Sequence, residues 1–122
     1  MADKLLIVMM NADPEDGPAL VPPLNQACIA AAMEFEVEIV FTGRAGRVIQ
    51  KGVAARTKAS EHSDKTVYDV LKEAHNAGVK IKACAPVIEE IGDDTIEELD
   101  EIVGGAYIIS EAMDTDTVTF TY

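Results

Sequence analysis

The residue best placed for chemistry is Cys84, which follows the short run 79–83 and precedes Ala85 and Pro86. This run is typical of a β-strand that stops at the proline. In parallel α/β sheets, ligands and reactive groups collect beyond the carboxyl ends of the strands, and a thiolate at such a place is a nucleophile. Residue type alone favours a small apolar filler, because free cysteine is among the most buried residues. We therefore keep both interpretations of Cys84.

Two lysines precede Cys84 in the same predicted strand. Because strand side chains alternate between two faces, Lys80, Lys82 and Cys84 share one face. Lys82 would then lie about 7 Å from Cys84, where its ammonium group favours the thiolate if water is partly excluded. The alternative is that both lysines are simply solvated.

The rest of the chain offers few groups for catalysis or cofactor binding. His62 and His75 are the only histidines, and the two cysteines lack Cys-x-x-Cys spacing, so no metal-ligand cluster is predicted. The segment 11–17 has a single glycine, too few for a dinucleotide fingerprint, and no phosphate-binding Gly-x-x-x-x-Gly-Lys-Ser/Thr loop occurs. Glu89 and Glu90 follow Cys84 and would repel a bound anion. We expect neither a metal nor a cofactor.

A lone nucleophilic thiol without an acid-base set suits the carriage of a group better than turnover of a small molecule. A thiolate can accept a sulfane sulfur, hold it as a persulfide and pass the outer sulfur to another thiol. The second cysteine, Cys28, lies on the apolar stripe of an alanine-rich helix and is interpreted as a core residue. A redox link between Cys28 and Cys84 requires that the fold bring them together.

Composition and charge limit the functional classes. The 122 residues fit one domain, 1–122, with an aliphatic core, since 48% of them are hydrophobic but only 5% aromatic. A net charge of −12 argues against direct nucleic-acid binding. Nine of the ten basic residues lie between Arg44 and Lys82, and eleven carboxylates follow Pro86, a split that predicts either a docking patch or solvated faces.

The amino-terminal residues bear on the cellular location of the protein as well as on its first strand. The apolar run 5–10 follows a single lysine and is shorter than a signal core, so we interpret it as part of the first strand. No run is long enough to span a bilayer, and a membrane association is not expected. With only two cysteines, the reducing cytoplasm is the expected location.

The pattern of strands and helices predicts an α/β fold: a single-domain three-layer sandwich with a mostly parallel five-stranded sheet flanked by helices. Segment 44–63 is harder to interpret, and either a short helix over 48–55 or a long basic loop or lid is predicted there. The predicted strands are 4–10, 36–41, 79–84, 102–103 and 117–122, and the predicted helices are 19–33 (or from 24), 66–77, 95–99 and 105–113.

Four segments resemble the DsrE/DsrF/TusD-like family of small sulfur-carrier proteins, and together they cover nearly the whole chain. They are the strand 5–10 with its acidic, proline-containing loop, the alanine-rich stretch 27–32, the strand 38–41 before a glycine turn, and the run 78–84 ending in Cys84. The resemblance implies the DsrE-like fold and a persulfide on Cys84. It also implies a homotrimer or homohexamer that exchanges sulfur with a TusA-like sulfur-carrier protein or another persulfide donor or acceptor, in sulfur oxidation or thiolation.

Three hypotheses follow. In the first, Cys84 relays sulfur, Lys82 and Lys80 favour the thiolate, and the basic segment 44–58 shapes a pocket or docking face. In the second, the chain is a noncatalytic oligomeric protein-interaction module. The third is a redox switch that joins Cys28 to Cys84.

Overall fold

A computed structural model describes residues 2–122 as five strands, four α-helices and two 3₁₀ helices. The sheet is built from strands of five or six residues, and the four α-helices connect them in turn. The strands are β1 Lys4–Met9, β2 Glu36–Phe41, β3 Lys80–Cys84, β4 Leu99–Val103 and β5 Thr117–Thr121; the α-helices are α1 Gly17–Ala32, α2 Val67–Asn76, α3 Ala85–Ile91 and α4 Gly105–Ala112; the 3₁₀ helices are Gly43–Ile49 and Ala54–Arg56.

All strand pairs are parallel, and the strand order is β4-β3-β2-β1-β5. The chain moves from β1 to β4 in one direction and then returns to lie beside β1 as β5. Because parallel crossovers are right-handed, a reversal of direction places the connecting helix on the opposite face. Helices α1, α2 and α3 therefore cover one face and α4 alone covers the other, which confirms the predicted α/β sandwich.

The two faces of the sheet are covered unequally. A large apolar cluster lies under α1, α2 and the first 3₁₀ helix, with Phe41, Leu24 and Leu71 fully buried in it. The opposite face has a small cluster of four buried residues, against which Tyr107, Ile108 and Ala112 of α4 pack. No residue of α4 is itself fully buried. This second face is thinly covered.

Two predictions about the connections are wrong. The helix predicted over 95–99 is absent, and α3 instead begins directly after Cys84, because Pro86 fits the first turn of a helix as well as the end of a strand. Gly92 ends α3 with a positive φ of 76°, which glycine adopts at no steric cost. Segment 44–63 has no helix over 48–55; it contains the 3₁₀ helices Gly43–Ile49 and Ala54–Arg56 instead, and it is not a lid, since the first of these buries Val48 and Ile49 in the core.

Helix starts also differ from the sequence prediction. Helix α1 begins at Gly17 because the Asp16 carboxylate accepts a hydrogen bond from the Ala19 amide. Helix α2 begins at Val67 and is capped by Thr66, which forms a reciprocal capping box with Asp69.

Candidate functional site

Cys84 is the last residue of β3 and the residue immediately before α3. It pairs with Val103 of β4, and it shares with Lys82 the sheet face that α4 covers. Its relative exposure is only 6%, so the thiol is buried in the isolated chain. The predicted position at a strand exit is confirmed, but the thiol does not stand free in solvent there.

The neighbouring strand leaves the sheet through two glycines. Gly104 and Gly105 follow Val103, and a Cβ atom added to either glycine would meet no heavy atom of another residue within 4 Å. Neither glycine has a positive φ. The space beside the β4 exit, next to Cys84 in the sheet, is therefore open, and neither crowding nor backbone strain in this chain requires glycine there.

Lys82 is bound into a buried polar network beneath α4. Its Nζ donates to Glu38 Oε2 at 3.1 Å and to the Tyr107 hydroxyl at 2.8 Å. The Tyr107 hydroxyl in turn donates to Glu38 Oε1 at 2.7 Å. Lys4 Nζ lies 2.9 Å from both Glu38 Oε2 and Glu111 Oε1. One carboxylate from β2 thus holds two ammonium groups, and Tyr107 and Glu111 anchor α4 to them.

The pKa values of these groups are shifted in ways that stabilise their ionised pairing. Burial alone would raise the pKa of Glu38, but hydrogen bonds from Lys4, Tyr107 and Lys82 lower it below its usual value. Burial alone would lower the pKa of Lys82, but its bonds to Tyr107 and Glu38 raise it. The pKa of Lys4 rises for the same reason. Burial raises the pKa of the Tyr107 phenol, so it remains a neutral hydrogen-bond donor.

This network changes the interpretation of Lys82. Its positive charge is compensated by Glu38, which is itself almost fully buried, so the ammonium group is not a free charge available to Cys84. Lys82 instead helps to hold α4 on the sheet. Lys80, at the start of β3, is exposed. Sequence alternation correctly places Lys82 and Cys84 on one face, but it cannot reveal which carboxylate faces the lysine.

Cys28 lies on α1, on the other side of the sheet from Cys84. It is partly buried against the large apolar cluster, and burial together with nearby Glu73 raises the pKa of its thiol. Its interpretation as a core residue agrees with this position. The sheet separates Cys28 from Cys84, so the two thiols cannot form a disulfide within one folded chain. The redox-switch hypothesis is therefore wrong, and both cysteines are free thiols.

The basic segment 44–58 follows the carboxyl end of β2, and two of its five charges, Arg44 and Arg56, pair with acidic residues of the loop after β1. A groove of about 520 Å³ runs between the loop after β1 and the first 3₁₀ helix. Arg44 pairs with Asp13 at 3.1 Å, and Arg47 lines the same groove as Glu90. Cys84 is not among the residues that line it. Folding therefore mixes the basic and acidic halves of the sequence.

The described residues contain no ready-made metal site and no membrane-crossing helix. Within 2–122, no three His, Cys, Asp or Glu side chains are grouped as they would need to be to hold a metal ion. In the same part of the chain, no helix combines the length and the apolar character needed to cross a bilayer.

Comparison with known families identifies this arrangement. The family model described as "DsrE/DsrF-like family" matches residues 4–119. The chain belongs to the DsrE/DsrF-like family. That family is broadly linked to sulfur relay. A comparison with curated proteins found no significant match.

Solved structures share the DsrE/DsrF-like fold at low sequence identity. The YchN protein of E. coli superposes with a TM-score of 0.73 at 14% identity, covering 100% of both chains. MTH1491 of Methanobacterium thermoautotrophicum, described as a protein of unknown function, has a TM-score of 0.67 at 16% identity over 98% of each chain. BT1422 of Bacteroides thetaiotaomicron, a conserved protein of unknown function, has a TM-score of 0.61 at 15% identity, covering 98% of this chain and 95% of its own. At these identities the likeness supports the fold alone.

Proposed function

We propose that this chain is a sulfur-relay protein, a sulfurtransferase-type carrier that holds sulfane sulfur as a persulfide on Cys84. The observation that carries the proposal is a thiol at the carboxyl end of β3 in a DsrE/DsrF-like chain. Reactive groups of parallel sheets collect at this edge. The other thiol, Cys28, lies on a helix that packs on the opposite face.

The chemistry requires no metal and no change in overall redox state. The Cys84 thiolate attacks the outer sulfur of a donor persulfide, so a new bond forms between Cys84 Sγ and that sulfur. The sulfur–sulfur bond of the donor breaks, and the donor leaves as a thiolate. Transfer to an acceptor thiol repeats the same exchange with Cys84 as the leaving group.

The burial of Cys84 gives the partner a role in this relay. A thiol that is 6% exposed reacts slowly with a protein-bound persulfide unless docking moves α4 or the loop around the β4 exit. We propose a TusA-like sulfur-carrier protein, or another persulfide donor or acceptor, as this partner. The cytoplasm is the proposed location, and a homotrimer or homohexamer the proposed assembly.

Loading with sulfur tests the proposal directly. After incubation with polysulfide or with a persulfide-bearing carrier protein, intact mass spectrometry should detect the mass of added sulfur on the protein. Cys84→Ser should lose this addition, whereas the matched variant Cys28→Ser should keep it, because the Cys28 thiol lies on the other face of the sheet. Absence of added sulfur on the unaltered chain, or equal loading of Cys84→Ser, would contradict a relay through Cys84.

A noncatalytic interaction module is the second candidate, and the burial of Cys84 favours it. In that case the fold presents surfaces to other proteins and the thiol only fills space. The two candidates differ in one measurement: a module keeps partner binding and cellular function in Cys84→Ser, whereas a relay keeps binding and loses transfer.

A further inference from the structure

The two edges of the sheet are protected very differently. The β4 edge carries Asp100 and Glu101 and has a register irregularity opposite Ile81 and Lys82, both of which discourage pairing with another strand. The β5 edge has the sequence Thr-Val-Thr-Phe-Thr, with no charge, proline or glycine. Such an uncharged strand of high β propensity at an open edge is a pairing site for another strand.

The groove beside β5 is also apolar. Val118 and Phe120 of β5 face α1, where they line a cavity of about 330 Å³ with Ile29, Met33 and Phe35. These five side chains are between 39% and 63% exposed. They form the largest grouping of exposed apolar side chains on the described chain, and patches of this kind mark protein contacts.

The hydrogen-bonding groups of β5 are arranged for a particular register. The Tyr122 amide donates to the Val8 carbonyl of β1, and the Tyr122 carbonyl accepts from the amide of Met10, the residue after β1. Because main-chain direction alternates along a strand, the groups of Thr119 and Thr121 point away from β1 toward the open edge. An antiparallel second strand centred on Thr119 would therefore form a hydrogen-bonded pair between the two Thr119 residues.

In this register the strand is complementary to itself. We propose that two copies of this chain join through β5 about a two-fold axis at Thr119, which makes one continuous sheet. Each Val118 then lies opposite Phe120 of the other copy, and each Thr117 opposite Thr121. Aromatic pairs with β-branched residues and threonine pairs are both favourable across strands. The two apolar grooves meet on the same side of the joined sheet.

One further feature favours a second copy over an unrelated strand. Asp114 and Asp116 lie just before β5, and an antiparallel arrangement keeps the aspartates of the two copies at opposite ends of the contact. The contact does not depend on the chemistry of Cys84, and it can join two trimers into a hexamer.

Substitutions that place like charges, or charges of opposite sign, across the β5 contact test the proposed register. Light scattering and sedimentation of the full chain should detect a dimer, or a hexamer containing this contact. The double variant Val118→Lys with Phe120→Lys places like charges opposite each other and should weaken the contact by roughly tenfold or more. Val118→Lys with Phe120→Glu places opposite charges there and should recover most of the association. Ile109→Lys, on an exposed position of α4, is the matched control and should leave it unchanged.

A cross-link provides a test that does not depend on destabilising variants. In a background of Cys28→Ser and Cys84→Ser, Thr119→Cys should form a disulfide between two copies on oxidation, because hydrogen-bonded pairs bring Cα atoms to about 5.5 Å. Thr121→Cys should not, since its opposite residue is Thr117. A monomer at all concentrations, an assembly that withstands the double lysine variant, or β5 pairing only with a different protein overturns the proposal.

Discussion

Glu38→Gln is expected to lower the free energy of unfolding by about 3 kcal/mol. The change removes the carboxylate that lies within 3.1 Å of both Lys4 and Lys82. The two largely buried ammonium groups then keep only their contacts to α4, through Glu111 and the Tyr107 hydroxyl. Removing one member of a buried ion pair is costly because the remaining charge keeps its desolvation penalty. Chemical denaturation at neutral pH measures the loss.

The matched control is Glu36→Gln, which changes the same residue type in the same strand at an exposed position. It should alter stability by less than about 0.5 kcal/mol. If Glu38→Gln is as mild as this control, the network does not stabilise the fold. Replacing Glu38, Lys4 and Lys82 together by apolar residues should recover much of the loss, because no buried charge then remains.

The same network predicts the pH range of its contribution. The pKa of Glu38 is lowered in the folded chain, so its contribution is complete above its usual value of 4.5 and is lost as pH falls through the lowered value. The pKa values of Lys82 and Tyr107 are raised, so their contributions are complete below about 10 and are lost as pH rises through the raised values. In Glu38→Gln the acid part of this dependence should shrink.

The sequence predicted the elements better than the contacts between them. Periodicity located β1, β2, β3 and α2 closely, because each element's pattern is local and its period is fixed by backbone geometry. The place of Cys84 at the end of its strand and the sheet face of its side chain were predicted from the same local pattern. Helix α3 was not predicted, because proline at position 86 is compatible with both the end of a strand and the first turn of a helix.

The site could not be predicted as fully, because its decisive contacts are distant in sequence. Lys82 and Glu38 are separated by 44 positions, and Glu38 and Tyr107 by 69. A lysine and a glutamate in half-polar strands indicate solvated faces as readily as a buried pair. The signal that was available is the position of Glu38 in β2, where it lies between Val37 and Ile39 and two residues before Val40 on its own face. The burial of Cys84 likewise depends on neighbouring elements and not on its own segment.

Gly17→Ala is expected to lower the free energy of unfolding by about 3 kcal/mol or more. Gly17 is the first residue of α1, and a Cβ there would lie 1.8 Å from the Lys58 carbonyl oxygen and 3.1 Å from the Ala59 Cα. The obstacle is backbone, so no side-chain rotation can relieve the overlap. Equilibrium unfolding in denaturant measures the effect.

The segment that Gly17 touches has little freedom to retreat. The Ala59 amide donates to the Lys65 carbonyl at 2.8 Å, and the Thr57 carbonyl accepts from the Val67 amide at 2.8 Å. Moving Lys58 therefore strains hydrogen bonds that lead directly into α2, and the alternative is to displace the start of α1. Either adjustment disturbs the carboxyl edge of the sheet.

Gly105→Ala is the matched control, because Gly105 is the first residue of α4 and an added Cβ there meets nothing within 4 Å. It should be neutral or stabilise the fold by about 0.5 kcal/mol, since alanine restricts the unfolded chain. Similar effects of the two substitutions would mean that helix-start propensity, and not the contact with Lys58, determines the response. A large loss confined to Gly17→Ala would show that the close contact with the Lys58 backbone fixes how the start of α1 packs against the segment before α2.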